Sequence, residues 1–377
     1  MTRRLALQAI AVHLALVACH SGQAEESRRV EDAIARGVAW LTSQQAKDGG
    51  WHSETYGAYR SGVGTTALAV LALSKEQAGR PSQSFQQGLA FLTARRDERG
   101  FVVAPDGGSD NALYATAITL RVLTHVQRDS ELRTKLQQSL AAARHDDSDN
   151  PDSPDAGGWA SLITGKDEVS SEAPCNLSAT TAVLVARPDL RDLKPTSEYV
   201  SRCQNFGDRT PDDGGFFFTP HRDHPLNKIS TTLTASGKPR PVSYFSATCD
   251  GIICENIFQL EGFSTDAARR TRAVEQLAKL PRPSLLAAAP LADDPRPSPI
   301  DGLYFYSAAA FADVWQLNPL DRPQLKPIRD EFIQTILQRQ RDHGDWMNPV
   351  NTMREDDPLI ATALAITALR RLSDSPH

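Results

Sequence analysis

Two carboxylates inside an otherwise apolar stretch have the clearest capacity for chemistry in this sequence. Asp250 and Glu255 both fall between Tyr244 and Leu260, where most other side chains are apolar. Burying an unpaired carboxylate is expensive, so each must face a cavity or find a hydrogen-bonding partner. Both are therefore candidates for a catalytic or ligand-binding role, with a structural hydrogen-bonding role as the alternative.

A second acidic group precedes the last apolar segment. Asp356 and Asp357 belong to the run Glu355-Asp356-Asp357-Pro358. They are weaker catalytic candidates, because carboxylates are also favoured at a helix N-terminus by the helix dipole.

Tyrosines near the starts of apolar segments are candidate ligand contacts. An aromatic ring suits an apolar ligand and its hydroxyl adds a polar contact, although core packing is the commoner use. These candidates are Tyr114, Tyr244, Tyr304 and Tyr306.

Metal and cofactor chemistry has little support. His221 and His224 offer two imidazoles, but prolines flank them and nothing completes a four-ligand pattern, so we expect a solvated loop. The sequence also lacks a phosphate-binding Gly-Lys-Ser/Thr loop and a Gly-x-Ser-x-Gly elbow. We predict neither a metal nor a cofactor.

A helical repeat must position these candidates. An amphipathic helix from Val30 is followed by a turn, Asp48-Gly49-Gly50-Trp51, and by a helix of small and apolar residues, Gly64 to Leu73. Such a helix should be buried on all sides. Five more copies of it follow, and the aligned central positions are 66, 116, 180, 248, 309 and 362. Self-similarity of this kind marks a repeat architecture.

Six apolar helices alternating with six amphipathic ones predict two concentric rings. An open solenoid would need polar terminal caps, whereas the last inner helix, Leu359 to Leu372, is as apolar as the first. The tryptophans at the turns, Trp51, Trp159 and Trp346, are predicted to be structural plugs.

The first turn carries a resemblance to a known family. Residues Arg36 to Trp51 resemble the QW motif of the squalene and oxidosqualene cyclases, and Gln338 to Trp346 form a weaker copy. With the inner helices, the chain resembles the prenyltransferase and squalene-oxidase repeat superfamily from about residue 30 to 372. The resemblance implies an all-α fold, the α/α toroid of about six helix pairs, with its ligand site in the central cavity.

The chemistry of that superfamily does not transfer. The cyclases use an Asp-x-Asp-Asp-Thr-Ala acid motif, and the matching positions here are Leu113 to Ala117 and Leu359 to Ala363, without the acid pair. Protein prenyltransferases use a zinc-binding histidine where this chain has Ala247. We expect neither standard cyclase activity nor a zinc site.

The amino terminus predicts export. Arg3 and Arg4 precede an apolar stretch from Leu5 to Ala18, which is typical of a signal peptide. The following Cys19 completes a sequence that resembles a bacterial lipobox, which implies lipidation of Cys19 and a membrane anchor. The alternatives are cleavage after Ala24 without lipid, which would give a periplasmic or secreted protein, and an uncleaved anchor. The predicted organisation is a signal peptide at 1–18, a linker at 19–29 and one repeat domain at 30–377.

Four further cysteines, Cys175, Cys203, Cys249 and Cys254, are an even number in a compartment that can be oxidising. Disulfides, in any of three pairings, and buried free thiols both remain open.

Composition narrows the function. The 377 residues carry 41 basic and 46 acidic side chains, a net charge of −5, so we expect no nucleic-acid partner. The leading hypothesis is an exported protein whose central cavity binds an apolar, isoprenoid-like molecule. The alternatives are a polysaccharide-processing toroid enzyme, and an envelope scaffold that binds protein partners through loops such as 280–299.

Overall fold

The structure is a computed structural model of the full chain. It describes residues 24–374 except 75–80, 106–110, 147–151, 162, 165–167, 170–173, 187–191, 208–211, 222–223, 229–230, 234–238, 264–265 and 286–298. The predicted signal peptide and Cys19 lie outside the described residues, as does most of the loop 280–299.

Twelve α-helices occur in the described part of the chain, and they alternate between an outer and an inner layer. The outer helices are α1 (24–43), α3 (Gln83–Ala94), α5 (Ser130–Ala142), α7 (Lys194–Arg202), α9 (Ala267–Leu277) and α11 (Arg322–Arg339). The inner helices are α2 (Val63–Leu73), α4 (Ala112–His125), α6 (Leu177–Ala186), α8 (Phe245–Leu260), α10 (Tyr304–Leu317) and α12 (Pro358–Ser373).

The inner helices form a closed ring. Each packs against the next, and α12 returns to pack against α2. In α8 the residues from Phe245 to Phe258 are all buried, whereas the outer helix α9 buries only Ala273, Val274 and Leu277. The difference follows from sequence, because an all-apolar helix needs neighbours on every side and an amphipathic helix needs them on one. The predicted all-α double ring, an α/α toroid, is confirmed.

Two small antiparallel hairpins interrupt this helical architecture. Strands β1 (Ile163–Thr164) and β2 (Glu168–Val169) precede α6, and strands β3 (Thr231–Leu233) and β4 (Pro239–Pro241) precede α8. Strands of two or three residues are too short to show a period in the sequence, which is why none was predicted.

The recurring threonine of the inner helices anchors each turn. The backbone N–H of Trp51 donates to Thr66 Oγ1 at 2.8 Å, and that of Trp346 donates to Thr362 Oγ1 at 3.0 Å. The same bond joins Val102 to Thr116, Trp159 to Thr180 and Phe216 to Thr248. A buried N–H must be satisfied, so the threonine recurs for a structural reason, although the bonded residues are between 14 and 32 positions apart in different units.

The turn tryptophans also bond to the outer layer. Trp51 Nε1 donates to the carbonyl of Leu41 at 2.7 Å, and Trp346 Nε1 donates to that of Ile336 at 2.8 Å. Trp159 does the same to Leu140, and all three rings are fully buried. The prediction that they are structural plugs is confirmed.

A glutamine joins each of three turns to the next outer helix. Gln45 Nε2 donates to the carbonyls of Gly49 and Ser84 at 2.8 and 2.9 Å. Gln340 Nε2 donates to those of Gly344 and Ala33 at 2.7 and 2.8 Å. The second pair links the last turn to α1, so the outer layer is also closed. Gln204, which the sequence analysis did not single out, repeats this arrangement with Gly214 and Arg269.

The first helix extends into the segment that was predicted to be a linker. Helix α1 begins at residue 24, so residues 24–29, predicted as a linker, belong to a helix. Residues 24–29 continue the helix because they include no glycine or proline that would end it.

None of the four cysteines forms a disulfide, and all four are buried: Cys175, Cys203, Cys249 and Cys254. Among the described residues, no helix combines the length and apolarity that crossing a bilayer requires.

Candidate functional site

A cavity of about 300 Å³ opens at one end of the inner ring. All six inner helices line it with residues from their first turns: Gly64, Tyr114, Ser178, Ser246, Tyr306 and Ile360. In five helices this residue stands two positions before the recurring threonine, so the threonine faces the turn while its neighbour faces the cavity. In α10 the same offset makes Ala308 the equivalent residue, one position before the Ala309 that sequence alignment indicated.

Most of the cavity wall is apolar. In three inner helices, an apolar residue four positions after the first-turn lining residue lies on the same helix face and also lines the cavity. These residues are Leu68, Ile118 and Leu364. Phe218, Leu303 and Met353 add apolar surface from the connecting loops. Thr65 also lines the cavity, whereas the recurring threonines bond to the turns.

Asp250 is one of two buried carboxyl groups that line this cavity. It lies on α8 four residues after Ser246, and its exposed fraction is 3%. Burial raises the pKa of Asp250 to about 8, although the Tyr306 hydrogen bond and the charge of Lys228 both act to lower it. At neutral pH the folded protein therefore holds Asp250 mainly as a neutral carboxylic acid, which can donate a hydrogen bond or a proton.

A hydroxyl network surrounds Asp250. Tyr306 donates from its hydroxyl to both carboxylate oxygens at 3.0 Å, and the same hydroxyl bonds to Ser178. Tyr114 lies beside Ser178 and Ser161, and burial raises its pKa to about 12. The network therefore spans α4, α6, α8 and α10, and it fixes the position of the Asp250 carboxyl group.

Lys228 brings a cation to the same cavity from the loop before β3. Its ammonium lies 3.4 Å from the centroid of the Phe218 ring and 3.4 Å from the Tyr244 hydroxyl. Burial lowers the pKa of Lys228 to about 8, while the charge of Asp250 raises it. Periodicity could not find this residue, because it stands in a loop at φ 62°.

Glu355 also lines the cavity, but its oxygens have a structural task. They accept the backbone N–H groups of Phe305 and Tyr306 at 2.9 and 2.7 Å, and Asn348 Nδ2 at 3.0 Å. Glu355 thus caps the N-terminus of α10. Burial raises its pKa to about 7, against these hydrogen bonds.

The structure separates the sequence candidates. Asp250, Tyr114, Tyr244 and Tyr306 line the cavity. Glu255 is buried on α8 outside the lining, because five residues turn a helix about 140° away from the face of Asp250. The alternative for Glu255, a structural hydrogen-bonding role, stays a prediction.

Tyr304 is placed away from the cavity. It stands two positions before Tyr306, which puts the two rings on nearly opposite faces of α10. Its ring centroid lies 5.5 Å from that of Phe332 on α11, so it packs between the inner and outer layers.

Asp356 and Asp357 are placed outside the cavity lining as well. Asp356 Oδ1 accepts the Tyr56 hydroxyl at 2.6 Å, and Asp357 caps α12 by accepting the N–H of Leu359 at 2.9 Å. Asp356 therefore bonds within the loops and Asp357 caps a helix, and neither carboxylate lines the cavity.

The histidine pair has separate local partners. His221 Nε2 lies 2.9 Å from Asp155 Oδ1, and His224 Nδ1 accepts the N–H of Leu226 at 3.2 Å. Within the described ranges, no group of three or more His, Cys, Asp or Glu side chains is arranged to hold a metal ion.

The arrangement has a definite chemical capability. A neutral carboxyl group with a raised pKa is a weak acid, unsuited to protonating an alkene, but it matches general-acid work on an oxygen atom near neutral pH. The apolar wall strengthens such an interaction by excluding water.

Comparison with known proteins places the fold. The sequence matches no family model and no curated protein. Among solved structures, the chain is similar to a type II terpene cyclase, MstE from Scytonema, in its complex with geranylgeranyl dihydroxybenzoate. The TM-score is 0.61 at 15% identity, and the match covers 93% of this chain and 98% of that one.

Two sugar-active proteins are similar to a comparable degree. Cellobiose 2-epimerase from Spirochaeta thermophila has a TM-score of 0.56 at 14% identity, covering 94% of this chain and 97% of that one. A family 76 glycoside hydrolase, a mannosidase from Bacteroides thetaiotaomicron, has a TM-score of 0.54 at 11% identity, covering 91% and 98%. The predicted resemblance to the terpene-cyclase toroids is confirmed for the fold, which sugar-active enzymes share.

Proposed function

We propose that the central cavity binds a small molecule with an apolar body and an oxygen-bearing head group, and that protonated Asp250 donates a hydrogen bond or a proton to that head group. The observation that carries the proposal is the Asp250 carboxyl group, buried between apolar walls and fixed by the Tyr306 hydroxyl. An apolar pocket with a few convergent polar groups is the usual form of a small-molecule site.

The chemistry of one similar protein supports an isoprenoid-like ligand. The substrate bound to MstE joins a geranylgeranyl chain to a dihydroxybenzoate, so it combines an apolar body with a polar head. Since the positions that match the cyclase acid motif, Leu113 to Ala117 and Leu359 to Ala363, hold no Asp pair, the proposed role of Asp250 is directed to the head group and not to standard alkene-initiated cyclisation.

A carbohydrate ligand is the second candidate. Asp250 and Glu355 line one cavity, and a pair of carboxyl groups is what glycoside hydrolysis uses. Glu355, however, is committed to the N–H groups of α10. The apolar ligand is therefore favoured. A filled centre would have favoured the scaffold hypothesis, and the cavity removes that support.

The decisive experiment identifies what the cavity holds. Native mass spectrometry of the purified mature chain, before and after solvent extraction, should reveal a co-purified apolar molecule. Geranylgeraniol should raise the melting temperature of the wild type and have less effect on Asp250→Asn, while cellobiose should have no effect. Stabilisation by cellobiose alone would reverse the order of the two candidates.

We also propose that the protein is exported and tethered to a membrane through lipid on Cys19. Support comes from the sequence of residues 1–19, with its basic start, apolar stretch and lipobox-like end. A tethered protein at a membrane surface would meet apolar molecules there.

A further inference from the structure

A second cavity, of about 420 Å³, lies at the opposite end of the inner ring. Its lining comes from the last turns of α2, α4, α6, α10 and α12, whereas the first cavity is lined by the first turns of the inner helices. The two cavities also differ in charge balance, because two basic and two acidic side chains line the first, whereas three arginines and one carboxylate line the second.

Three arginines line this second cavity: Arg121 on α4, and Arg370 and Arg371 on α12. Asp313 on α10 binds two of them, accepting Arg121 Nη2 at 3.2 Å and Arg371 Nη1 on the same oxygen. Three guanidinium groups against one carboxylate give these four residues a net charge of +2. This is a local concentration of positive charge in a chain whose net charge is −5.

One of the three arginines, Arg370, stabilises the end of a helix. Arg370 Nη1 donates to the carbonyl of Ala72 near the end of α2, where a cation is favoured by the helix dipole. Arg121 and Arg371 instead converge on Asp313. Burial and the nearby charge of Arg121 lower the pKa of Arg371 to about 10, so the two guanidinium groups repel each other despite the carboxylate between them.

An anion in the cavity would relieve that repulsion. Each guanidinium carries five N–H donors in a planar fork that matches the oxygens of a phosphate group. A phosphate group with two negative charges also balances the net charge of +2. The cavity volume falls within the range of small-molecule sites, which leaves room for more than one phosphate group or for an attached organic group.

We infer that this second cavity binds a small phosphate ester or diphosphate, with Arg121 and Arg371 on its phosphate oxygens. The inference does not depend on the function proposed for the first cavity, since no residue lines both.

Calorimetric titration of the mature chain with inorganic pyrophosphate tests the inference. We expect saturable binding that weakens as salt is added, because exposed charges are screened. Arg121→Gln should weaken the affinity roughly 10- to 100-fold, the effect of losing one charged hydrogen-bonding group. Arg121 is chosen because 28% of its side chain is exposed, so its replacement perturbs folding less than that of buried Arg371.

Matched variants separate the site from general charge. Arg99→Gln removes the same charge from an exposed residue that pairs with Asp97, and it should leave binding unchanged. Asp313→Asn raises the local positive charge and should tighten binding. An unaltered melting temperature of Arg121→Gln would show that the loss of affinity is not a loss of folding.

Three results would overturn the inference: no pyrophosphate binding by the wild type at millimolar concentration and low salt, equal affinities for Arg121→Gln and Arg99→Gln, or tighter binding of citrate than of pyrophosphate. The last result would assign the cavity to carboxylates.

Discussion

The hydroxyl group of Tyr306 lies 3.0 Å from both carboxylate oxygens of Asp250, and this contact joins two neighbouring inner helices at the cavity. The two residues are 56 positions apart in the chain, and the packing of two consecutive inner helices brings them together. The contact ties α8 to α10 and also holds the one group of the first cavity that is best suited to give a proton to a ligand.

Asp250 should make stability depend on pH. Its pKa is about 8 in the folded protein against an ordinary value of 3.8. Between these values the folded chain keeps a proton that the unfolded chain has lost, so stability falls as the pH rises. The Asp250→Asn variant carries no ionisable group at this position, so its own stability lacks this pH dependence. The unfolding free energy of the variant minus that of the wild type should therefore increase by up to about 1.4 kcal/mol per pH unit between pH 5 and 8.

Urea denaturation at several pH values measures this difference. Glu261→Gln changes an exposed carboxylate just after the same helix and serves as the control. A difference between Asp250→Asn and the wild type that stays constant with pH would contradict the protonated state.

Tyr306→Phe should increase the pKa of Asp250 further. The hydroxyl favours the ionised carboxylate by donating to it, so its removal makes the proton harder to lose. Infrared titration of the protonated carboxyl band should follow this change. Tyr304→Phe is the matched control, because its ring packs on Phe332 away from the cavity. Equal shifts in the two variants would refute the role assigned to Tyr306.

Thr362→Val should destabilise the fold by about 1–3 kcal/mol, because the buried N–H of Trp346 would lose its acceptor. Thr119→Val has nearly the same change in shape, but the hydroxyl of Thr119 bonds only to the Ala115 carbonyl of its own helix. Chemical denaturation should show a clearly smaller loss for Thr119→Val. If the two losses were alike, the turn bond would not be what the repeat preserves.

Gly344→Ala should open the closure between the last turn and α1. Gly344 has φ +95°, and a Cβ there would lie 2.7 Å from the Arg36 carbonyl oxygen. Gly207 has a similar φ of +91° with open space around it, so Gly207→Ala reports the backbone strain alone. We expect the larger loss of thermal stability for Gly344→Ala, with faster amide exchange in α1. A loss no greater than that of Gly207→Ala would mean that the closure tolerates the clash.

Cys19→Ala should release the mature protein from the membrane fraction into the soluble fraction, provided that processing continues at an alternative site. Cell fractionation with mass analysis of the mature amino terminus measures this. Unchanged membrane partition of the variant, or a wild-type amino terminus without lipid, would count against the tether.

The repeat made the fold predictable. Apolar periodicity distinguished inner from outer helices, and the recurring glycine-aromatic turns fixed their order, because both signals are local. In five of the six inner helices the cavity residue also follows a local rule, two positions before the recurring threonine. Helix α10 has no such threonine, and the prediction that grouped Tyr304 with Tyr306 overlooked that a spacing of two places side chains on nearly opposite faces of a helix.

The site itself depended on the tertiary structure. Local patterns in the sequence predicted the helical double ring and singled out Asp250 as a carboxyl group inside a buried helix. The packing of inner helices and loops places Asp250 at the cavity, leaves Glu255 outside it and brings Lys228 to it from a loop. Helix periodicity is set over a few residues, whereas burial, charge and the resulting pKa values depend on groups that packing brings together from distant parts of the chain.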